Sequence, residues 1–260
     1  IATTSLVADP LDPNIVYAGT NFGLLKTING GDTWQLTSLT YNSCAGMSNV
    51  GSILSLAIDP NNHNTIFAGS DAAGSNNMHK SIDGGITWSS NKITVPYISS
   101  DSFNIKSIAI DPNNTSVIYA AGYTGDISPD GVFSKSIDGG QSWVSIRGGG
   151  FSLAIDPLVS STIYRGLEGM SKSIDGGSSW IFKSSEGIGF PGTYSPVFSI
   201  WRPARVKSIA VDPNNSSTIY VGTEYHGVSK STNAGNSWSA FNSGIQIDGY
   251  YGYYNSNKLV

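Results

Sequence analysis

The stretch Ser136-Ile137-Asp138-Gly139-Gly140-Gln141-Ser142-Trp143 occurs five times, with small changes, along a chain of 260 residues. The shared form is Ser/Thr-x-Asp/Asn-x-Gly-x-Ser/Thr-Trp. An Asp or Asn side chain can accept hydrogen bonds from backbone amides two residues further on, and Gly accepts the positive φ that a tight turn requires. The stretch therefore predicts a hairpin turn, and the Trp is large enough to hold that turn against the sheet as the next strand begins. The copies run over 27–34, 81–88, 136–143, 173–180 and 231–238, and their predicted structural residues are Asn29, Trp34, Asp83, Trp88, Asp138, Trp143, Asp175, Trp180, Asn233 and Trp238.

Four strand signals accompany each copy. Strand A ends in Asp-Pro, as in Ile108-Ala109-Ile110-Asp111-Pro112, because Pro cannot donate to a sheet ladder. Strand B is rich in β-branched and aromatic residues, strand C carries a Lys directly before the turn, and strand D begins at the Trp. We expect each of these lysines to be structural, pairing with a strand-A Asp. Four strands per unit, repeated at 37 to 58 residues from one Trp to the next, predict an all-β fold, a β-propeller of four-stranded antiparallel blades with five blades visible.

The repeat favours one domain over residues 1–260. A longer ring of six or seven blades, of which this chain is a piece, remains the alternative. The first residue, Ile1, fits a processed mature chain or an excised fragment. The predicted blades span approximately 3–40, 53–94, 105–147, 151–183 and 206–241, with 242–260 as a C-terminal loop or tail.

The eight-residue pattern resembles the Asp-box, or BNR, repeat of β-propellers found in sialidases, xyloglucan-cleaving endoglucanases, sortilin-type receptors and photosystem II assembly factors. Four copies keep every small or polar consensus position, and the fifth has Ala234 in place of Gly. The resemblance implies the propeller fold. It does not imply one activity, because these relatives do unrelated things with the same repeat.

Composition narrows the function classes. The net charge of -4 and the pI near 5.2 leave no basic stripe to bind nucleic acid. The sequence has no apolar run of 18 residues, so we expect no membrane span, and the single cysteine, Cys44, cannot form an internal disulfide. Only 12% of residues are charged, and the abundance of Ser, Thr, Asn and Gly on the surface favours an extracellular or cell-surface protein.

Candidate functional residues are those left when the repeat is subtracted. Strand direction alternates within a blade, so the variable D-to-A and B-to-C links emerge on one face and the uniform turns on the other. Variable loops on a rigid scaffold are where binding residues usually lie. The variable face also carries Glu168, Arg205 and His226. The ligand-binding candidates are Trp201, Tyr225, Glu224, Tyr123, Asp126, Arg202 and Tyr194.

Aromatic rings and carboxylates together suit sugar rings or a polar protein surface. The leading hypothesis is a non-catalytic secreted or surface propeller that binds a glycan or protein ligand on the variable face. The alternative is a glycoside hydrolase, or one half of a two-propeller glycosidase, with Asp126, Asp130, Glu168 and Glu224 as carboxyl candidates. A structural or assembly module of a larger chain or complex is a third hypothesis. No catalytic residue, cofactor or metal site is predicted, although Asp126 and Asp130 have a spacing that could hold calcium.

Overall fold

The computed structural model describes residues 1–40, 51–71, 77–93, 103–123, 131–183, 188, 193–195, 200–202, 205–224 and 226–245. Within this part the chain forms β-strands and no helix. The chain divides into two compact units, unit 1 over residues 1–150 and unit 2 over residues 151–260.

Unit 1 contains three four-stranded antiparallel sheets, in which strands adjacent along the chain are adjacent in the sheet. Sheet 1 consists of β1 (Thr3–Ala8), β2 (Val16–Thr20), β3 (Gly23–Thr27) and β4 (Gln35–Thr40). Sheet 2 consists of β5 (Ile53–Asp59), β6 (Asn62–Ser70), β7 (Met78–Ser81) and β8 (Ser89–Asn91). Sheet 3 consists of β9 (Asn104–Ile110), β10 (Ile118–Tyr123), β11 (Gly131–Ser136) and β12 (Val144–Arg147).

Unit 2 contains two further sheets of the same design and one hairpin. Sheet 4 consists of β13 (Ser152–Ile155), β14 (Ile163–Leu167), β15 (Gly169–Ser173) and β16 (Ile181–Lys183). The hairpin consists of β17 (Thr193–Ser195) and β18 (Ile200–Arg202). Sheet 5 consists of β19 (Val206–Val211), β20 (Ile219–Thr223), β21 (Val228–Ser231) and β22 (Ser239–Ala240). These sheets confirm the predicted all-β fold of four-stranded antiparallel blades, with the fourth strand beginning one residue after each motif Trp.

The hydrophobic core lies between consecutive sheets within each unit. Between sheets 2 and 3, Phe67 and Met78 pack against Ile105 and Ile118, all of them buried. Successive side chains along a strand point to opposite faces of the sheet. One face of each sheet can therefore supply apolar side chains to the neighbouring sheet. The corresponding clusters are centred on Tyr17, Ile53 and Ile66 between sheets 1 and 2, and on Tyr164, Val206 and Ile219 between sheets 4 and 5.

The first strands of consecutive sheets are also joined by hydroxyl groups. Ser55 donates to the carbonyl oxygen of Ile105 at 2.9 Å, and Ser152 donates to that of Val206 at 3.1 Å. Both are buried bonds, and an unpaired carbonyl there would lose its hydration without compensation. The Ser of strand A therefore joins sheets 2 and 3 and sheets 4 and 5, whereas Thr4 makes the bond to the Ile53 carbonyl between sheets 1 and 2.

The eight-residue motif forms the expected turn, but its hydrogen bonds differ from the prediction. Asp138 Oδ1 accepts from the amides of Gln141 and Ser142, three and four residues further on, at 3.0 and 2.9 Å. The bond from an amide two residues on goes instead to Ser136 Oγ, which also accepts from Gly140 N at 2.8 Å. Trp143 Nε1 donates to the Gly140 carbonyl at 3.2 Å, so the Trp does hold the turn.

The lysine before each motif does not behave as expected in sheets 1 and 2. Lys26 Nζ donates to the carbonyl oxygen of Gly84, and Lys80 Nζ donates to that of Gly139, both at 2.8 Å. The predicted pairing with a strand-A Asp is therefore wrong for these two lysines. Each instead reaches the motif turn of the next sheet, where the acceptor carbonyl lies outside the strands and has no ladder partner. Asp9, the strand-A acid of sheet 1, accepts from the amide of Leu11 at 2.8 Å.

Candidate functional site

The strands of each sheet run between two unlike ends, called here the turn edge and the loop edge, because strand direction alternates. The turn edge carries the links between the first and second strands and the motif turns between the third and fourth. The loop edge carries the links between the second and third strands and the links that lead to the next sheet. Residues before the first strand and after the second strand therefore meet at the loop edge.

Two of the predicted ligand-binding residues are described with their side chains, and both lie at the loop edge. Glu224 directly follows β20, and Tyr123 is the last residue of β10. Tyr225 and Asp126 lie outside the described residues.

The other three candidates lie in the hairpin that links sheets 4 and 5. Tyr194 is the cross-strand partner of Trp201, and Thr193 is the partner of Arg202. The sequence predicts a loop for this link, and the structure forms a hairpin there instead. Aromatic and β-branched residues on either side of a Pro-containing stretch were the available signal.

Glu224 is held between two cations in unit 2. Its Oε2 lies 3.7 Å from Arg205 Nε, and its Oε1 lies 3.4 Å from Lys207 Nζ. The Glu224 side chain is 23% exposed. The carboxylate is thus oriented by charge on two sides and still reachable from solvent.

Both cations also contact one aromatic ring. Lys207 Nζ lies 4.4 Å from the centroid of the Phe151 ring, and Arg205 Cζ lies 5.4 Å from it. A cation within about 6 Å of a ring centroid is attracted by the ring quadrupole. Phe151 therefore anchors the two cations that orient Glu224.

The backbone brings three segments of chain together at Arg205. Glu224 N donates to the Arg205 carbonyl at 2.9 Å, and Glu168 forms an isolated antiparallel bridge with Arg205. Two acidic residues from different sheets thus flank one arginine at the loop edge.

The loop that begins at Glu224 is short and tied to sheet 5. Thr223 N donates to the Gly227 carbonyl at 2.9 Å, and Asn242 Nδ2 donates to the His226 carbonyl at 3.0 Å. Asn242 Oδ1 accepts from Val228 N at 2.7 Å. Burial lowers the pKa of His226, so its imidazole is neutral at pH 7.

Lys207 and Phe151 were missed as site residues in the sequence. Both precede the repeated Ser of strand A, and this register position holds Thr4, Leu54, Lys106, Phe151 and Lys207 in the five sheets. A position that varies among otherwise uniform strands was the signal. The same position in sheet 3 behaves alike, since Lys106 Nζ lies 5.3 Å from the centroid of the Tyr123 ring.

The described residues contain no group of three or more His, Cys, Asp or Glu side chains placed to hold a metal ion. The pair considered for calcium, Asp126 and Asp130, lies outside them. In the part of the chain that is described, no helix is long and apolar enough to cross a membrane.

The loop-edge cluster consists of Phe151, Glu168, Arg205, Lys207 and Glu224. Its chemistry suits recognition of a polar ligand. A carboxylate accepts hydroxyl protons, guanidinium and ammonium groups donate, and an aromatic ring offers flat apolar area.

Comparison with known proteins places the fold. No family model matches the chain. A xyloglucanase of Paenibacillus sp is 29% identical over 168 residues, which is 55% of this chain and 16% of that protein. The xyloglucanase Xgh74A of Acetivibrio thermocellus is 28% identical over 170 residues, 55% of this chain and 20% of that protein. The chain thus spans about a fifth or less of the length of these curated relatives.

Solved structures agree with the relatives. An ancestral GH74 enzyme superimposes with a TM-score of 0.69 at 23% identity, covering 94% of this chain and 32% of that one. The chain is a β-propeller, as the BNR-type resemblance predicted. YCF48 from Cyanidioschyzon merolae superimposes on this propeller with a TM-score of 0.53 at 13% identity, covering 94% of this chain and 86% of that one. These likenesses establish the propeller fold.

Proposed function

We propose that this propeller is a non-catalytic module that binds a glycan at the loop edge of unit 2. The observation that carries the proposal is the Glu224 carboxylate, held by Arg205 and Lys207 beside the Phe151 ring. A sugar offers hydroxyl groups for the carboxylate and cations, and an apolar C–H face for the ring.

The relatives support a polysaccharide ligand. Both relatives are named as xyloglucanases, and we propose that this propeller is part of a larger chain that acts on such a polymer. We propose an extracellular or cell-surface location on the same ground, because polymeric glycans lie outside the cell. The hairpin that carries Tyr194, Trp201 and Arg202 belongs to the link between sheets 4 and 5 and is proposed to extend the binding surface.

The test is calorimetric titration of the chain with xyloglucan oligosaccharides. We expect saturable binding that weakens about tenfold or more in Glu224→Gln, since a hydrogen bond to a charged group contributes about 1.5–3 kcal/mol. Phe151→Leu should weaken binding as well, because it removes the ring that anchors both cations.

Asp32→Asn is the matched control. It makes the same carboxylate-to-amide change in the motif turn of sheet 1, at the turn edge. The proposal fails if Glu224→Gln and Phe151→Leu both bind like the unchanged protein, or if the control loses affinity equally.

A glycoside hydrolase is the second candidate, and one observation favours it. Glu168 and Glu224 flank Arg205, and cleavage of a glycosidic bond requires two carboxyl groups about 5 to 9.5 Å apart. Release of reducing ends from xyloglucan that disappears in both Glu168→Gln and Glu224→Gln would establish the hydrolase. Binding without turnover supports the module.

A further inference from the structure

A groove opens at the turn edge of unit 1, between the motif turns of sheets 2 and 3. Its volume is about 470 Å³, within the range of about 300–1,000 Å³ typical of small-molecule sites. The groove shares no lining residue with the loop-edge cluster, and its role does not depend on the proposed function. Residues that line it include Lys80, Ile82, Thr87, Trp88, Asn91 and Gln141.

The apolar part of the lining is a fixed indole and an exposed side chain. Trp88 packs against the core cluster between sheets 1 and 2, and its Nε1 donates to the Gly85 carbonyl at 3.1 Å. These contacts set the plane of the indole. Ile82 beside it is 69% exposed. The groove therefore offers a flat apolar surface that is already ordered before a ligand arrives.

The polar part of the lining is neutral. Asn91 and Gln141 are exposed amides, each able to donate and to accept. Among the described lining residues Lys80 alone is charged, and its Nζ donates to the Gly139 carbonyl at 2.8 Å and lies 5.4 Å from the Phe67 ring centroid. The ammonium is thus already bonded within the protein, and the described lining includes no carboxylate.

The equivalent position is closed in unit 2. Two positions face each other there: the third residue after the motif Trp of sheet 4, Lys183, and the sixth residue of the motif of sheet 5, Asn236. Lys183 Nζ donates to Asn236 Oδ1 at 2.9 Å. Asn91 and Gln141 occupy the same two positions between sheets 2 and 3. Among the described residues these two amide side chains make no bond to one another or to other groups.

The junction of sheets 1 and 2 is closed in a different way. Thr37 and Ile86 take the place of the two amides, and Ser38 Oγ donates to the Ile86 carbonyl at 2.7 Å. Of these three junctions, the one between sheets 2 and 3 alone combines two unengaged amides with an ordered indole in the described part of the chain.

We propose that this groove is a binding site for a neutral sugar residue, with the apolar face of the pyranose ring on Trp88 and its hydroxyl groups bonded to Asn91 and Gln141. A pyranose has an apolar C–H face and a rim of hydroxyl donors and acceptors, which matches an indole beside two amides. The Lys80 ammonium is already bonded within the protein, so the described lining selects against charged sugars, because a carboxylate would lose hydration without gaining a free cationic partner.

The experiment uses the whole chain and NMR titration with cellotetraose, with tetragalacturonate as the charged comparator. The signals to follow are the indole N–H of Trp88 and the side-chain amides of Asn91 and Gln141. We expect these signals to shift together and to saturate with cellotetraose. We expect binding of tetragalacturonate to be at least tenfold weaker.

The decisive variant is Asn91→Lys/Gln141→Asn, which copies the bridge of Lys183 and Asn236 without touching Trp88. It should weaken cellotetraose binding at least tenfold, whereas Asn236→Ala and Glu224→Gln should leave the Trp88 shifts unchanged. Gln141→Ala, a single exposed change, should weaken binding several-fold even if the double variant folds poorly. The proposal is overturned if the Trp88 signal does not saturate, if both Asn91/Gln141 variants bind as tightly as the unchanged chain, or if the charged tetramer binds equally well.

Discussion

The junction between sheets 1 and 2 in unit 1 and the junction between sheets 4 and 5 in unit 2 are built from the same motif but are bonded differently. In unit 1, Tyr17 Oη and Lys26 Nζ both donate to the Gly84 carbonyl, at 2.9 and 2.8 Å. Trp88 Nε1 donates to the Gly85 carbonyl at 3.1 Å. Two side chains of sheet 1 thus hold the motif turn of sheet 2, and Trp88 closes that turn from within.

In unit 2 the equivalent donors are buried without partners. Tyr164 Oη and Trp238 Nε1 have no hydrogen-bond partner among the described residues. Ala234 stands in the position of Gly84 and has a φ of 55°, a conformation that is unfavourable for a residue with a Cβ. The eight-residue motif therefore specifies the turn in both units, whereas the bonds across the junction also depend on the residues that surround the turn.

The largest effect is expected from Ala substitutions at the second motif glycine. A Cβ at Gly140 would lie 2.7 Å from Cε1 of the Phe67 ring, and one at Gly235 would lie 2.7 Å from Cε of Met170. Both glycines have positive φ, 85° and 84°, so the backbone strain is equal. A buried aromatic ring cannot move aside, but the end of a Met side chain can. Gly140→Ala should lower the free energy of unfolding by about 3 kcal/mol or more, and Gly235→Ala by about 1–2 kcal/mol.

Urea unfolding of the two Ala variants gives both numbers. Equal losses would show that strain in the turn, and not the neighbouring ring, decides the effect.

The next effect distinguishes the two units by pH. His79 in sheet 2 is buried, with Ser70 Oγ 3.1 Å from Nε2 and Ser90 Oγ 2.7 Å from Nδ1. Burial lowers the pKa of His79 to about 4. Because the unfolded chain binds the proton more readily, stability is lost as pH falls from 6.5 towards 4, by a total of about 3 kcal/mol. Unit 2 has Ser171 at this position, and its histidine, His226, is only partly buried, so unit 2 should show a smaller loss over this pH range.

The check on this prediction is hydrogen exchange between pH 7 and 4, followed separately in the two units. Amides of sheet 2 should lose protection relative to those of sheets 4 and 5. His79→Gln should remove the difference, and a greater loss in sheet 2 that persists in this variant would contradict the assignment to His79.

A smaller pair of effects should differ in sign. Tyr17→Phe removes a buried hydrogen bond to the Gly84 carbonyl and should destabilise the chain by about 1 kcal/mol. Tyr164→Phe removes a buried hydroxyl that lacks a partner and should be neutral or stabilise by up to about 1 kcal/mol. Thermal unfolding of the two variants side by side tests this, and destabilisation by Tyr164→Phe equal to that by Tyr17→Phe would show that both hydroxyls are bonded.

Ala234→Gly should make the unit 2 turn more like those of unit 1. Relief of the positive φ favours Gly by about 1–2 kcal/mol, and the greater freedom of Gly in the unfolded chain offsets part of this gain. We expect a net stabilisation of about 1 kcal/mol in urea unfolding. Gly84→Ala, the reverse change at the same motif position, should be destabilising, and a stability unchanged by Ala234→Gly would mean that the turn is not strained.

Much of the fold could be read from the sequence because the motif determines local structure. Asp138, Gly140 and Trp143 form one turn from residues within eight positions, so a short-range pattern suffices. The destination of Lys26 could not be read in the same way. Its partner, Gly84, belongs to another sheet, and strand A offered an acid that seemed the natural partner.

The sequence predicts the loop residues of the candidate site but not the strand residues that orient them. Glu224 and Arg205 stood out because they do not recur from blade to blade. Phe151 and Lys207 lie in β-strands or directly before them, where periodicity explains an aromatic or a long side chain without reference to function. Their contact arises because neighbouring sheets place the same register position side by side, which is a property of the packing between sheets.

The smallest expected effect is a difference in the pH dependence of stability between motif turns with Asp and those with Asn, and unit 2 has one of each. Asp175 accepts from Ser179 Oγ at 2.5 Å and from Ser179 N at 2.8 Å. The hydroxyl bond, followed by the amide bond, lowers the pKa of Asp175 from 3.8 to about 2. The contribution of this carboxylate to stability is therefore present above pH 4 and is lost as pH falls from 3.8 towards 2. Asn233 contacts Ser237 at the equivalent atoms, but its Nδ2 donates to Ser237 Oγ at 2.8 Å while its Oδ1 accepts from Ser237 N at 2.9 Å, and its amide does not titrate.

Exchanging the two residues tests this directly. Asp175→Asn should reduce the dependence of unfolding free energy on pH between 4 and 2, and Asn233→Asp should increase it, with little change in either variant at pH 7. The measurement is urea unfolding at several pH values in that window. Because Asp83 and Asp138 have similarly lowered pKa values of about 2, Asp175→Asn should remove only part of the total dependence. If the pH profile of Asp175→Asn is unchanged, the pKa of Asp175 is the same in the folded and unfolded chain. The loss of stability at low pH would then not come from the motif turns of unit 2.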